Sequence, residues 1–256
     1  MERIFDRGLV KKHRERAARL IGQHDDLLRI IVDNLLDRIR DIQGSLQHVL
    51  DLGCHSGQLS RALGTLPNIS RILSCDISNA MVRKAPGLRV VADEEFLPFG
   101  AEKFDLVVSA MSLHWANDLP GVLRQIRCIL KKDGIFIGTL FGGRTLQQLR
   151  RAILDSELRL RLPSLPRVSP FIDIKDAGML LMRAGFDMPV ADSEDIFMDY
   201  DNILDLCREL RGMGETNALQ KMNISFATAC AVRALLKQNL PISTQFEVIT
   251  MFGIKK

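Results

Sequence analysis

A short apolar run that ends in an acid and then in closely spaced glycines constrains the fold of this chain most. Residues 49–57 read Val-Leu-Asp-Leu-Gly-Cys-His-Ser-Gly, and residues 58–66 carry apolar side chains at helical spacing. A strand, a tight glycine turn and a helix can bring backbone N–H groups and a helix N-terminus up to a ligand. Many α/β proteins need glycines at such a corner for purely structural reasons, so the residues downstream must decide between the two interpretations.

Short apolar strands and helices alternate after this corner. The predicted elements are strands at 70–77, 88–92, 104–109 and 135–141, and helices at 79–84 and 119–130. This alternation is typical of an α/β fold with a doubly wound, mostly parallel sheet and right-handed crossovers. Ligands bind such sheets at the carboxyl ends of the strands. Four polar residues lie at or near those ends: Asp51, Asp76, Asp93 and Ser109.

Helices and further strands flank this alternating core. Two helices are predicted before it, at 4–20 and 25–39, and a turn at 132–134 precedes its fifth strand. The elements predicted after residue 143 are helices at 145–161, 173–183, 203–210 and 224–237, a loop at 163–170, and strands at 195–200 and 245–254. We expect the late strands to complete a seven-stranded sheet at its edge, with the helices as a cap. We divide the chain into an N-terminal helical extension (1–44), a cofactor-binding core (45–143) and the rest of the same domain (144–256).

Composition and residue spacing argue against several classes of protein. The five cysteines and five histidines are dispersed, without CxxC or HExxH spacing, so neither a disulfide framework nor a metal site is expected. No apolar run approaches the roughly 18 residues of a membrane span, which leaves at most peripheral membrane contact. The charged first segment lacks the apolar centre of a secretory signal, and its acids argue against an organellar presequence. We therefore expect a cytoplasmic protein.

The basic residues concentrate in the first helix and in residues 144–167. Neither stretch has interleaved aromatic side chains, which nucleic-acid grooves use for stacking. We therefore expect solvated helix faces and no nucleic-acid partner. The basic residues of the first helix are Arg3, Arg7, Lys11, Lys12, Arg14, Arg16 and Arg19.

The acid at the end of the second strand points to a nucleoside ligand. A carboxylate such as that of Asp76 can accept hydrogen bonds from both hydroxyls of a ribose. The dinucleotide fingerprint G-x-G-x-x-G would need glycines where this chain has His55 and Gln58, so no pyrophosphate cradle is expected.

In their order along the chain, these segments resemble the class I S-adenosylmethionine-dependent methyltransferases. Residues 49–57 resemble motif I of that family, and further likenesses lie at 92–99, 104–109 with 113–115, and 130–134. The resemblance implies a Rossmann-like fold and S-adenosylmethionine as cofactor, with Asp76 on the ribose hydroxyls and Asp93 on the adenine amino group. The cofactor-binding residues that it implies are Asp51, Gly53, His55, Gly57, Asp76, Ile77, Asp93, Glu94 and Ser109.

His55 is the one departure from motif I. A glycine at this position normally lets the backbone come close to the methionine portion of the cofactor, and a side chain there intrudes. Two interpretations stay open: a weakened or altered cofactor site, or a tolerated imidazole that points away or contacts the cofactor carboxylate.

A narrower resemblance, to the complex I assembly factor 5 family, extends over nearly the whole chain. The segments that carry it are 4–7, 92–99, 112–115, 117–120, 136–138, 141–143, 169–171, 183–186 and 212–215. It implies a role in maturing a respiratory NADH dehydrogenase subunit, and the mitochondrial member is regarded as an arginine hydroxylase. The malonyl-carrier-protein methyltransferases are similar in the first half and match the second half less well.

No catalytic residue is assigned, because methyl transfer from an activated sulfonium is mostly alignment of two groups. His114 and the only tryptophan, Trp115, either line an acceptor pocket or pack under the cap. Residues 212–215 are either a substrate-side loop or a helix C-cap. An iron-dependent hydroxylase would need two histidines and a carboxylate. No such triad can be assembled from the dispersed histidines, so hydroxylation rests wholly on the narrower resemblance.

The sequence thus leads to an S-adenosylmethionine-dependent methyltransferase that acts on a protein or carrier-bound acceptor, with a place in complex I maturation. Two alternatives stay open. One is hydroxylation of an arginine on a respiratory NADH dehydrogenase subunit, and the other is a non-catalytic assembly factor that uses the fold only to bind its client.

Overall fold

The computed structural model describes residues 3–159, 166–220 and 241–256. Within these ranges seven strands form one sheet in the order β3-β2-β1-β4-β5-β7-β6. Strands β1 to β5 are parallel, and β7 runs antiparallel to both β5 and β6. The predicted doubly wound, mostly parallel seven-stranded sheet is confirmed. The strands are β1 Leu46–Leu52, β2 Ile69–Asp76, β3 Leu88–Val91, β4 Phe104–Ala110, β5 Leu130–Phe141, β6 Asp187–Tyr200 and β7 Ile242–Ile254.

Helices cover both faces of the sheet. Strand β4 is a nearly continuous apolar run because Leu106 and Val108 pack on one face while Val107 packs on the other, and all three are buried. The first face is covered by α2, α3, α6 and α8, and the second by α5 and α7. The helices are α1 Arg7–Ala17, α2 Asp26–Arg40, α3 Gln58–Leu63, α4 Asn79–Val82, α5 Leu119–Ile129, α6 Gln147–Arg159, α7 Ile174–Ala184 and α8 Ile203–Met213, with 3-10 turns at Ile21–Gln23 and Leu113–Trp115.

Several element boundaries differ from the sequence prediction, and the structure shows the reason for three of them. Helix α1 begins at Arg7 instead of residue 4, because the Asp6 side chain caps it by accepting from the Leu9 backbone N–H. The predicted turn at 132–134 lies inside β5, where Asp133 has φ 60° and donates its N–H to the Lys255 carbonyl at 2.6 Å. Strand β6 begins at residue 187 instead of 195, because it pairs with β7 along its whole length.

The prediction of solvated basic faces is wrong for part of α1. Lys11, Lys12 and Arg19 are exposed as expected. Arg7 is mostly buried and Arg14 is completely buried, because both guanidinium groups pair with carboxylates of the sheet. Helix α1 therefore belongs to the candidate site described below.

Some expectations from the sequence stay predictions. The helix predicted at 224–237 and part of the loop predicted at 163–170 lie outside the described residues. The division at residues 44 and 143 also stays a prediction. In the described ranges, none of the helices combines the length and the apolar character that crossing a membrane requires.

Candidate cofactor site

The predicted site residues lie at the carboxyl edge of the sheet, where the strand order reverses. Strand β1 has β2 on one side and β4 on the other, which makes the end of β1 the switch point at which doubly wound sheets bind ligands. Asp51 is paired in register with Ser74 of β2 and Val108 of β4. The acids at the ends of β1 and β2 are therefore close neighbours, as their positions in the sequence predict.

The loop after β1 is tightly closed, and two of its positions require glycine. Gly53 has φ 71° and Gly57 has φ 83°, both in the left-handed region that favours glycine. A Cβ atom on Gly53 would lie 2.1 Å from the Ser112 side chain, and one on Gly57 would lie 2.6 Å from the Ala85 Cα atom. The Gly53 N–H also donates to the Cys75 carbonyl at 2.7 Å, which ties the loop to β2.

His55 lies inside this loop, with its imidazole buried and its backbone at φ 49°. Its Nε2 atom is 3.1 Å from both the Ala110 and the Met111 carbonyl oxygens, so the ring connects the β1 loop to the end of β4. Burial, followed by the charge of Arg14, lowers the pKa of His55 to about 3. The imidazole is therefore neutral at physiological pH, with its Nε2–H facing the two carbonyls.

Asp76, the residue expected to bind a ribose, is fully buried and has three donors in the structure. Its Oδ1 atom accepts from the Ser78 backbone N–H at 2.8 Å. Its Oδ2 atom accepts from Arg14 Nη1 at 2.6 Å and from the His55 backbone N–H at 3.1 Å. The position expected for a ribose is thus taken by a guanidinium of the same chain.

Arg14 reaches Asp76 from helix α1 and also spans the cleft towards the end of β4. Its Nη2 atom donates to Ser112 Oγ at 3.1 Å and lies 3.4 Å from the Met111 carbonyl oxygen. Burial by itself would lower the pKa of Arg14, but the neighbouring Asp76 and Glu94 carboxylates raise it. The guanidinium therefore stays charged in this buried position.

The two acids after β3, Asp93 and Glu94, bind Arg7, which lies in the first turn of α1. Arg7 donates from Nη2 to Asp93 Oδ1 at 2.6 Å, and the same Nη2 atom contacts Glu94 Oε2. Ser112 Oγ donates to the other oxygen of Glu94. Burial would raise the pKa of Glu94, but Arg7 and Arg14 outweigh it and lower the value to about 2. Glu94 is therefore ionised and fully engaged.

The remaining predicted cofactor residues line the same edge. Ile77 is buried directly after Asp76, and the Ser109 hydroxyl is buried without a hydrogen-bond partner among the described residues. Asp51 accepts from Ser60 Oγ at 2.5 Å through Oδ2, and its Oδ1 has no partner in the same part of the chain. Burial raises the pKa of Asp51 to about 7, against the opposing effect of the Ser60 hydrogen bonds.

The two aromatic residues expected on the substrate side meet a carboxylate of the loop after α8. His114 Nε2 lies 2.8 Å from Glu215 Oε2, and Trp115 Nε1 donates to the same oxygen at 3.0 Å. All three side chains are buried. Gly214 ends α8 at φ 89° and so directs Glu215 inward, which makes residues 212–215 a helix C-cap that also delivers a buried acid.

Sequence reasoning assigned no site role to Arg7 or Arg14, and it gave Glu215 only as part of residues 212–215, either a substrate-side loop or a helix C-cap. One pattern could have found the arginines. They lie seven positions apart, on the same helical face as Val10 and Ala17, and this face is the buried one. For Glu215 no comparable pattern exists, because its partners lie about a hundred positions away in the sequence.

The residue types at this edge fit a nucleoside, but their arrangement does not. Both oxygens of Asp76 have partners. The space beside the Gly53 backbone is filled by the Ser112 side chain, which would lie 2.1 Å from a Cβ atom there. A neighbouring cavity, bordered by His55 and Glu215 and not by Asp76 or Asp93, measures about 10 Å³, which is about the space of one water molecule. S-adenosylmethionine does not fit this arrangement of side chains. Within the described ranges, no group of three His, Cys, Asp or Glu side chains is placed to hold a metal ion.

Comparison with known proteins agrees with the fold and the order of motifs. The methyltransferase domain family matches residues 50–138. The human protein named arginine-hydroxylase NDUFAF5, mitochondrial, is 37% identical over 266 residues, which cover 98% of this chain and 77% of that protein. A malonyl-[acyl-carrier protein] O-methyltransferase from Methylovorus sp. is 32% identical over 231 residues, which cover 85% of this chain and 76% of that one.

Two solved structures are similar in fold at low sequence identity. The YcgJ protein of Bacillus subtilis has a TM-score of 0.61 at 17% identity, over 88% of this chain and 97% of that one. The phosphoethanolamine N-methyltransferase 2 of Haemonchus contortus, solved with S-adenosylhomocysteine, has a TM-score of 0.55 at 14% identity, over 87% of this chain and 52% of that one. With the near full-length relatives, the chain therefore belongs to the class I S-adenosylmethionine-dependent methyltransferase family, and within it is related to the mitochondrial arginine-hydroxylase NDUFAF5.

Proposed function

We propose that this protein is an S-adenosylmethionine-dependent enzyme that modifies a protein side chain, with a respiratory NADH dehydrogenase subunit as its client. The observation that carries the proposal is the extent of the likeness to the NDUFAF5 proteins, at 35–37% identity over 98% of this chain. The carrier-protein methyltransferases match 84–85% of the chain at 32% identity. The balance favours a protein acceptor over a carrier-bound one.

Methyl transfer is the first candidate reaction. It is supported by membership of the methyltransferase family and by acids at the ends of β2 and β3, where a nucleoside could be held. Methyl transfer from a sulfonium needs little from the protein beyond alignment, which agrees with a site built from binding groups instead of a catalytic dyad. The cofactor would need an arrangement in which the arginines of α1 have released these acids.

Hydroxylation of an arginine is the second candidate reaction. It is favoured by the name arginine-hydroxylase, which relatives that match 98% of this chain carry. The names of these relatives include the word mitochondrial, whereas a cytoplasmic location for this chain stays a prediction.

The test is mass spectrometry of the respiratory NADH dehydrogenase subunits from a strain that lacks this gene. A subunit that loses the mass of one methylene group supports methyl transfer, and one that loses the mass of one oxygen atom supports hydroxylation. Complementation with the wild-type gene restores the mass, and so does the control Asp37→Asn, which alters an exposed acid of α2. Unchanged subunit masses together with failed assembly would overturn the enzyme proposal in favour of a non-catalytic assembly factor.

A further inference from the structure

We propose that helix α1 is an internal competitor of the nucleoside, and that a ribose reaches Asp76 only after Arg14 and its helix have left the edge of the sheet. The inference rests on the proposed cofactor and adds a control of its binding. It follows from the occupancy of Asp76, from the space that Arg14 fills, and from the way in which α1 is attached.

Asp76 cannot bind both hydroxyls of a ribose while Arg14 is in place. A carboxylate offers about four lone-pair sites, and a ribose diol held in bidentate fashion needs one on each oxygen. Among the described residues, Oδ1 accepts only from the Ser78 N–H, so it can take one hydroxyl. Oδ2 already accepts from both Arg14 and the His55 N–H, so the second hydroxyl has to replace the guanidinium.

Arg14 also fills the space that a nucleoside would need. Its side chain is completely buried between Asp76 at the end of β2 and Met111 and Ser112 after β4. In a doubly wound sheet, this crevice over the end of β1 is where a ligand binds. Guanidinium and nucleoside therefore compete for the same volume as well as for the same carboxylate.

Helix α1 is attached to the edge of the sheet mainly through arginine side chains. The helix buries only two apolar side chains, Val10 and Ala17, next to the polar His13 and Arg14. Its inner face is held by ion pairs of Arg7 and Arg14 with acids of the sheet edge. A ligand that binds those acids removes the main attachment of the inner face, so ligand binding and helix release are coupled.

A second set of contacts joins α1 to residues 216–218 and not to the sheet. His13 Nδ1 lies 3.1 Å from the Thr216 carbonyl oxygen, and Arg16 donates to the Thr216 hydroxyl at 2.9 Å. The Asp6 N–H donates to the Ala218 carbonyl at 2.8 Å. The helix thus has a second set of partners on residues 216–218, on which it can remain when its arginines leave the sheet.

The experiment is calorimetric titration of S-adenosylhomocysteine into the wild type, Arg14→Met and the control Lys12→Met. Methionine keeps much of the aliphatic volume of arginine and removes its charge, and Lys12 is an exposed cation of the same helix. We expect Arg14→Met to bind at least about tenfold more tightly than the wild type, because the ligand no longer has to break the Arg14–Asp76 ion pair before it can bind. Lys12→Met should match the wild type.

Two other outcomes are informative, one about the role of Arg14 and one about the cofactor. Equal or weaker binding by Arg14→Met, with measurable binding by the wild type, would contradict the competitor role and indicate that Arg14 contacts the ligand. Absence of binding in all three proteins would refute the proposed cofactor itself, and this inference with it.

A second measurement needs no substitution and so does not depend on the folding of a variant. Hydrogen exchange of the wild-type protein should show the backbone amides of residues 7–17 losing protection when S-adenosylhomocysteine is added to saturation. The amides of α5, on the opposite face of the sheet, serve as the internal reference. Increased protection of residues 7–17 would overturn the proposal.

Discussion

Replacement of Arg14 by methionine should destabilise the ligand-free protein strongly. Arg14 and Asp76 are both fully buried, and their charged atoms are 2.6 Å apart. Removing one partner of a buried ion pair typically costs about 3–5 kcal/mol, because the other charge stays buried and unpaired. Asp76 keeps the N–H donors of His55 and Ser78, so we expect a value of about 3 kcal/mol. This is a large part of the stability of a typical domain.

The assay is urea denaturation at neutral pH, followed by circular dichroism, with Lys12→Met as the exposed control. The control should lie within about 0.5 kcal/mol of the wild type. Asp76→Asn and the double variant complete a cycle, in which the double variant should lose at least about 1 kcal/mol less than the sum of the single losses. An Arg14→Met loss below about 1 kcal/mol, or simple additivity, would refute the assignment of a buried ion pair.

Three further predictions concern the end of β1 and the loop after it. In Asp51→Asn, the free energy of unfolding should rise with pH between about 4 and 6.5 more steeply than in the wild type, by up to about 1.4 kcal/mol per pH unit. Folded Asp51 keeps a proton that the unfolded chain releases above the ordinary pKa of 3.8, so this residue makes the stability of the wild type fall as pH rises to about 7. His55, whose pKa is lowered to about 3, has the opposite effect and makes stability fall as pH falls below 6.5. Identical slopes in denaturation series across this range would contradict the assignment. His55→Gly should bind S-adenosylhomocysteine more tightly than the wild type in calorimetry, because it removes the imidazole that connects the loop to β4, and weaker binding would show that the imidazole contributes to the site. Gly57→Ala should cost about 2–4 kcal/mol in thermal or urea denaturation, because of its φ of 83° and the 2.6 Å approach to Ala85, whereas Gly22→Ala, with open space around it, should be nearly neutral.

The parts of the site that follow strands could be predicted from the sequence. Asp51 and Asp76 end apolar strands, and parallel strands place their carboxyl ends at one edge, so local pattern and sheet topology together bring the two acids into neighbouring positions. Gly57 could be expected for the same reason, since a strand that turns directly into a helix needs a residue in the left-handed region.

The partners of these acids could not be predicted in the same way. Arg14 lies 62 positions from Asp76, and charged side chains on an amphipathic helix are normally solvated. Only the side on which α1 packs decides that Arg14 is buried while Lys12 is exposed. The early start of β6 was missed for a related reason, because Asp192 and its polar neighbours form a partly exposed edge strand without an apolar run.

In our proposal a nucleoside and Arg14 exclude each other at Asp76. The most direct measurement is a crystal structure of the wild-type protein grown with saturating S-adenosylhomocysteine, in which the separation of the Arg14 guanidinium and the Asp76 carboxylate is read. We expect ribose hydroxyls on both oxygens of Asp76, with the Arg14 guanidinium moved from its 2.6 Å contact to beyond hydrogen-bond distance. A bound nucleoside beside an intact Arg14–Asp76 pair would contradict it.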